Sequence, residues 1–245
     1  RGLGDVYKRQ TMVNGADRGW KNALEQKKLS DQNKITAPRM FPIKDWGPSR
    51  SRDPGHLPKA SEIKKWHDTN TQNIAKLANQ IVKEGAHVIR IGSLAWNEEL
   101  FGKVAKAIYK AGGITTVHLP PSDISVVNAV KAAELGVTML EHHYGYPESA
   151  MGGKVHPFPS DYNYMDEADR FRHAGSIWQI ASEDILYGEV VDRLIKSGVA
   201  MLPTMSTYEA NRDVNRAMSS PWHERYTHAK LIDWYFPNPE YHGSY

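Results

Sequence analysis

Cysteine is absent from the 245 residues. This excludes a disulfide framework, a thiolate-bound zinc site, an iron–sulfur cluster and a thiol nucleophile. No apolar run approaches the ~18 residues that suggest a membrane span, so no membrane partner is expected. Charge of one sign is equally scarce, with 31 Lys and Arg against 28 Asp and Glu. No basic cluster is interleaved with aromatics, which leaves no case for a nucleic-acid partner. Four motifs are missing: H-E-x-x-H, the serine-nucleophile elbow, the P-loop, and a G-x-G-x-x-G after any strand. What the chain does have is core material, including seven Trp, and eleven His. That many imidazoles points to metal or acid–base chemistry.

Residues 1–10, RGLGDVYKRQ, stand apart. Asp5 to Gln10 resembles the translation of a transposon end used in shotgun library preparation. Residues 1–10 are therefore expected to be an assembly scar on an environmental gene fragment and not part of the fold. The fold is expected to occupy 11–245 as a partial catalytic domain, cut at both ends. The sequence carries no indication of compartment.

Four segments share one grammar, an amphipathic helix, a Gly, then a short β-rich run. They are KEGAHVIRIGS (Lys83–Ser93), KAGGITTVHLP (Lys110–Pro120), ELGVTMLEHH (Glu134–His143) and KSGVAMLPTM (Lys196–Met205). The Gly in each closes a helix in the left-handed conformation. The apolar runs that follow suit strands buried on both faces of a parallel sheet. Strands are expected near Met12 and at Arg39–Ile43, Val88–Gly92, Ile114–His118, Val137–His142 and Val199–Pro203. Helices are expected at Asn97–Ala111 with Asn97 as N-cap, at Ser122–Leu135, at Ser182–Ser197 with Ile185, Val190, Leu194 and Ile195 inward, and within Ser61–Glu84.

Strand and helix alternate at roughly 24 residues per unit, which implies right-handed βαβ crossovers. Counted from each Gly, Arg90, His118, His142 and Thr204 fall five or six residues on, at the C-terminal ends of strands. That arrangement belongs to the catalytic face of a barrel. The fold class is therefore α/β, an incomplete (β/α)8 TIM-type barrel of parallel strands with roughly strands two to seven present. His118 and His142 end consecutive strands, and neighbouring strands lie about 4.8 Å apart. The two imidazoles can therefore converge on one ion or on one substrate. Glu141, one residue before His142, is expected on the opposite face as a structural partner.

The phrase KAGGITTVH…AAELGVTMLEH resembles the fifth and sixth barrel strands of the amidohydrolase superfamily, in its imidazolonepropionase-like and prolidase-like branch. ITAPRMFPIKDWGPS (Ile35–Ser49) resembles that family's third-strand region. Thr11-Met-Val-Asn, with Gly15 and Trp20, resembles the end of its second strand. VAMLPTMSTYEA (Val199–Ala210) resembles its seventh. The resemblance covers about 11–210. It implies a metal-dependent hydrolase in which His118 is a metal ligand and His142 either ligates the ion or orients the substrate oxygen.

Two departures from the family pattern shape this expectation. The family's strand-one His-x-His pair and strand-eight Asp have no counterpart here. Arg90 stands where the binuclear members carry a carboxylated Lys, and a guanidinium neither forms a carbamate nor ligates metal. One ion, zinc for preference, is thus expected rather than two. Arg90 would then hold a substrate carboxylate, unless it is consumed in an ion pair with a strand-end acid. His143 and Tyr144, in the loop above the site, and Thr204 and Tyr208, after the seventh strand, are assigned as substrate contacts. The region 144–181 is long for a βα connection and is expected to form a lid-like insertion, with a short helix within Met165–Trp178.

The implied reaction is hydrolysis of a C–N bond in a small-molecule amide, cyclic amide or amidine. An ion of the zinc type would bring the pKa of its water to about 7 for this purpose. The fragment alone is expected to be inactive, and a homo-oligomer is compatible with the sequence. Two alternatives stay open: a metal-free barrel hydrolase or lyase using His118 and His142 as acid and base, and a catalytically inactive barrel-derived binding domain.

Overall fold

The computed structural model describes residues 11–14, 20–47, 65, 71–91, 97–119, 124, 126–151, 159–163, 167–205, 219 and 221–222. Among these residues six strands alternate with helices. The strands are β1 (Thr11–Asn14), β2 (Arg39–Trp46), β3 (Val88–Ile91), β4 (Ile114–Val117), β5 (Met139–Glu141) and β6 (Ala200–Leu202). The helices are α1 (Trp20–Asp31), α2 (Ile74–Lys83), α3 (Glu98–Lys110), α4 (Ala129–Glu134), α5 (Tyr146–Ala150), α6 (Glu167–Ser182) and α7 (Tyr187–Ser197).

All pairings are parallel and the strands run in the order β1-β2-β3-β4-β5-β6. A doubly wound sheet reverses its strand order at a switch point, whereas this winding never turns back. The chain therefore forms an α/β sheet of the (β/α)8 type with its ring unclosed among the described residues. No helix among those residues is long and apolar enough to cross a membrane.

Helices α2, α3 and α4 begin where the sequence supplies caps. Asn73, Asn97 and Asn128 accept from the backbone N–H three residues on, at 3.0, 2.8 and 2.9 Å. Each satisfies one of the donors that a helix start leaves over. Glu98 and Glu99 add negative charge at the first turn of α3. The helix expected over Ser122–Leu135 is not continuous: Ile124 is helical, 126–128 are not, and α4 starts after Asn128 at Ala129, while Ser122 lies outside the described residues.

The second correction concerns the helix expected at 182–197. Ser182 instead ends α6, and a turn carries the chain into α7, with the Asp184 carboxylate accepting from Leu186 N at 2.9 Å. Two hydrophobics expected inward are exposed, Ile185 at 93% and Ile195 at 72%, while Val190 is buried.

The core lies between the sheet and its helices. Ile89, Ile91, Val117 and Leu140 pack with Ala78, Ile81, Phe101, Val104, Ala105 and Ile108 from α2 and α3. Alternation along a strand then sends Arg90, Thr116 and Glu141 to the other face, the interior of the barrel. Ala150 of α5 and Ala181 of α6 pack with Val130 of α4 and Val190 of α7, which places them in the outer helix layer.

Candidate metal centre

A row of polar side chains crosses the inner face. Asp45 pairs in register with Arg90, and Arg90 with Thr116, so the three share a face. Arg90 Nε donates to Asp45 Oδ1 at 2.7 Å. Of the two expectations for Arg90, the ion pair is what forms, and its acid is Asp45 on the neighbouring strand. Thr116 Oγ1 donates to Glu141 Oε1 at 3.0 Å.

The row sorts the site residues by depth. Val117 pairs with Leu140, so His118 follows opposite Glu141 at the C-terminal end of the sheet. Arg90 pairs with Thr116 and so lies two residues deeper than His118. Counting from glycine places Arg90 and His118 at one height. The count slips because β3 starts three residues after Gly85, whereas β4 starts one residue after Gly113.

His142 departs from strand geometry. Its φ is +62°, in the left-handed region that non-glycine residues rarely adopt. Its N–H still donates to Leu202 O at 2.8 Å, which anchors the turn to β6. The turn swings the ring to the side of the sheet that Glu141 occupies. The His118 and His142 centroids stand 4.8 Å apart at 74°. Strict alternation separates Glu141 from His142; the turn removes that separation.

Ligating atoms of His118, Glu141 and His142 lie within 4.8 Å of one another, on three half-buried side chains. Donors about 2.1 Å from a shared ion sit no more than about 4.2 Å apart, so a small side-chain rotation closes the set. Two imidazoles and a carboxylate are also the donor set of open, catalytic zinc sites, which keep a fourth position for water or substrate. The residues present therefore fit a single divalent ion.

The other expected site residues fall around this group. Tyr144 is 1% exposed, so it is no rim aromatic. Its ring lies 5.1 Å from that of His118 and 5.9 Å from that of His142. Burial follows from its neighbours, since Gly145 and Tyr146 lead straight into α5 and Tyr146 is buried as well. Tyr146 lies far from solvent, and burial pushes its hydroxyl well above the ordinary phenol range. His143 stacks on Tyr144 at 4.9 Å. Thr204 Oγ1 lies 3.0 Å from His142 Nδ1. Tyr208 lies outside the described residues. Sequence reasoning missed Asp45 and Glu141 as members of the site. Glu141 follows Gly136 by the same five residues that separate His118 from Gly113, and that count was the available signal.

Comparison with known proteins adds little. No family model and no curated protein matches this chain. Among solved structures, one carboxyl transferase domain of Rhizobium etli pyruvate carboxylase, a point variant with pyruvate, is 15% identical with a TM-score of 0.32. The match covers 67% of this chain and 27% of that one. A pyruvate carboxylase variant from the same organism, with acetyl coenzyme A, gives 15% identity and a TM-score of 0.33 over 84% of this chain and 18% of that one. The same carboxyl transferase domain with 3-bromopyruvate gives 14% identity and a TM-score of 0.31 over 90% and 43%. This chain thus spans less than half of each structure, and likenesses this slight carry no argument about its activity.

Proposed function

We propose that the protein is a metal-dependent hydrolase of C–N bonds of the amidohydrolase type, with His118, Glu141 and His142 around one divalent ion. The observation that carries this reading is the meeting of two imidazoles and a carboxylate at the C-terminal ends of β4 and β5. A zinc-type ion, when bound, supplies Lewis acidity and an activated water at neutral pH.

The chain's own groups divide the remaining work. Thr116 holds Glu141 Oε1 and so limits the rotation of that carboxylate. Tyr144 fills the space beside both imidazoles and excludes water from it. Arg90 is paired with Asp45 deeper on the same face, and the pair ties β2 to β3 beneath the site. Small amides and cyclic amides are the substrate class of this reading.

The test uses the protein expressed with its natural flanking sequence and freed of metal. It should hydrolyse members of a panel of N-acyl amino acids, dipeptides and cyclic amides only after one equivalent of zinc is added. Arg90→Gln removes the ion pair with Asp45 and should lower the melting temperature by about 2–6 °C. Turnover that persists unchanged in the metal-free protein would overturn the reading.

A further inference from the structure

Two residues on adjacent strand ends carry a conformation that their side chains disfavour. His142 has φ +62° and Thr204 has φ +55°. Such a conformation persists only where its surroundings enforce it. The two are joined through their side chains, Thr204 Oγ1 to His142 Nδ1 at 3.0 Å. They are joined through the backbone as well, since Leu202 O accepts both His142 N–H at 2.8 Å and the Thr204 hydroxyl at 3.4 Å.

The second contact offers the Thr204 hydroxyl hydrogen an acceptor other than His142. A hydroxyl has one hydrogen. If it goes to Leu202 O, Thr204 Oγ1 can only accept from His142 Nδ1–H. The neutral imidazole is then the tautomer whose Nε2 carries the lone pair, the form that an ion requires of a ligand at that nitrogen.

We propose that Thr204 is the positioning residue of the site. It selects the His142 tautomer that can ligate metal and holds the ring beside His118. The proposal rests on the metal-site reading above and assigns Thr204 a task other than substrate contact. It also gives the strained backbone at both residues a purpose, because relaxing either one would separate the hydroxyl from Nδ1.

Three forms of the chain test it: wild type, Thr204→Val and Thr204→Ser. Valine keeps the shape and β-branching of threonine and removes only the hydroxyl, whereas serine restores it. Zinc affinity, measured by competition with a chromophoric chelator, should fall about 10- to 100-fold in T204V. In T204S it should stay within about 3-fold of wild type. Separately, ¹⁵N NMR of the metal-free chain, at a pH well above the ordinary imidazole range, should show the Nδ1–H form of His142 in wild type and T204S. That preference should disappear in T204V.

The outcomes separate the two claims. Zinc bound equally by wild type and T204V, or an Nε2–H form of His142 in wild type, overturns the role of Thr204 and leaves the metal centre standing. A wild-type chain that binds no zinc overturns the metal centre and this inference with it. A merely structural Thr204 would shift the melting temperature without moving the tautomer.

Discussion

His118→Ala should reduce zinc affinity by more than about 100-fold, beyond the 10- to 100-fold usual for residues that only support a ligand. His118 supplies one of three donors, and alanine leaves two, too few to compete with water for the ion. Glu141→Gln should weaken binding strongly as well. An amide oxygen keeps the shape of the carboxylate and its bond from Thr116 but brings no negative charge to the ion. His143→Ala is the control. His143 stacks on Tyr144 and is not in the group of converging donors, so its loss should leave affinity within about 3-fold. Calorimetric titration of the three variants checks all of this. Equal losses in all three would mean that the donors act through folding and not through the ion.

Gly145→Ala should be the most damaging small substitution near the site. Gly145 has φ +81°, and a Cβ there would meet Ala129 N at 2.8 Å and Leu119 Cδ1 at 2.9 Å. The first of these is backbone and cannot rotate away. Gly145 O also accepts from Ala129 N at 3.2 Å and from Ser149 Oγ at 2.6 Å, so shifting the residue breaks the junction of α4 with α5. Left-handed strain and overpacking together should cost about 3 kcal/mol. For a domain of this size that is a drop of about 6–12 °C in melting temperature. Gly188→Ala provides the contrast. Its Cβ would meet nothing within 4 Å, and it lies inside α7, where alanine is the better helix former. A melt of Gly145→Ala within about 2 °C of wild type would contradict the packing described for the 142–146 turn.

The fold was largely legible in the sequence because its signals are local. Helix–Gly–strand phrases repeat, and a βαβ unit has only one common handedness. The strands at Val88, Ile114 and Ala200 lie within two residues of their expected bounds. The departures among the helices have local causes too. Asn128, inside the expected Ser122–Leu135 helix, is the residue whose side chain caps a new start at Ala129. Ser182 is taken by the end of the preceding helix.

The site was legible only in part, since register and backbone departures are not local. His118 and His142 are recognisable as strand-end residues. The depth of Arg90 depends on how many residues separate each glycine from its strand, which pattern alone does not reveal. Strict alternation sets Glu141 aside, and that is the rule His142 breaks at φ +62°. Asp45 reaches Arg90 from 45 residues away, by a pairing that only the assembled sheet displays.

X-ray absorption at the zinc edge, on the chain loaded with one equivalent of zinc, tests the central claim most directly. The account predicts a first shell containing two imidazole nitrogens and carboxylate oxygen at about 2.0–2.2 Å, with one imidazole contribution lost in His142→Ala. A shell of water oxygens without imidazole, or one unchanged by that substitution, would contradict it.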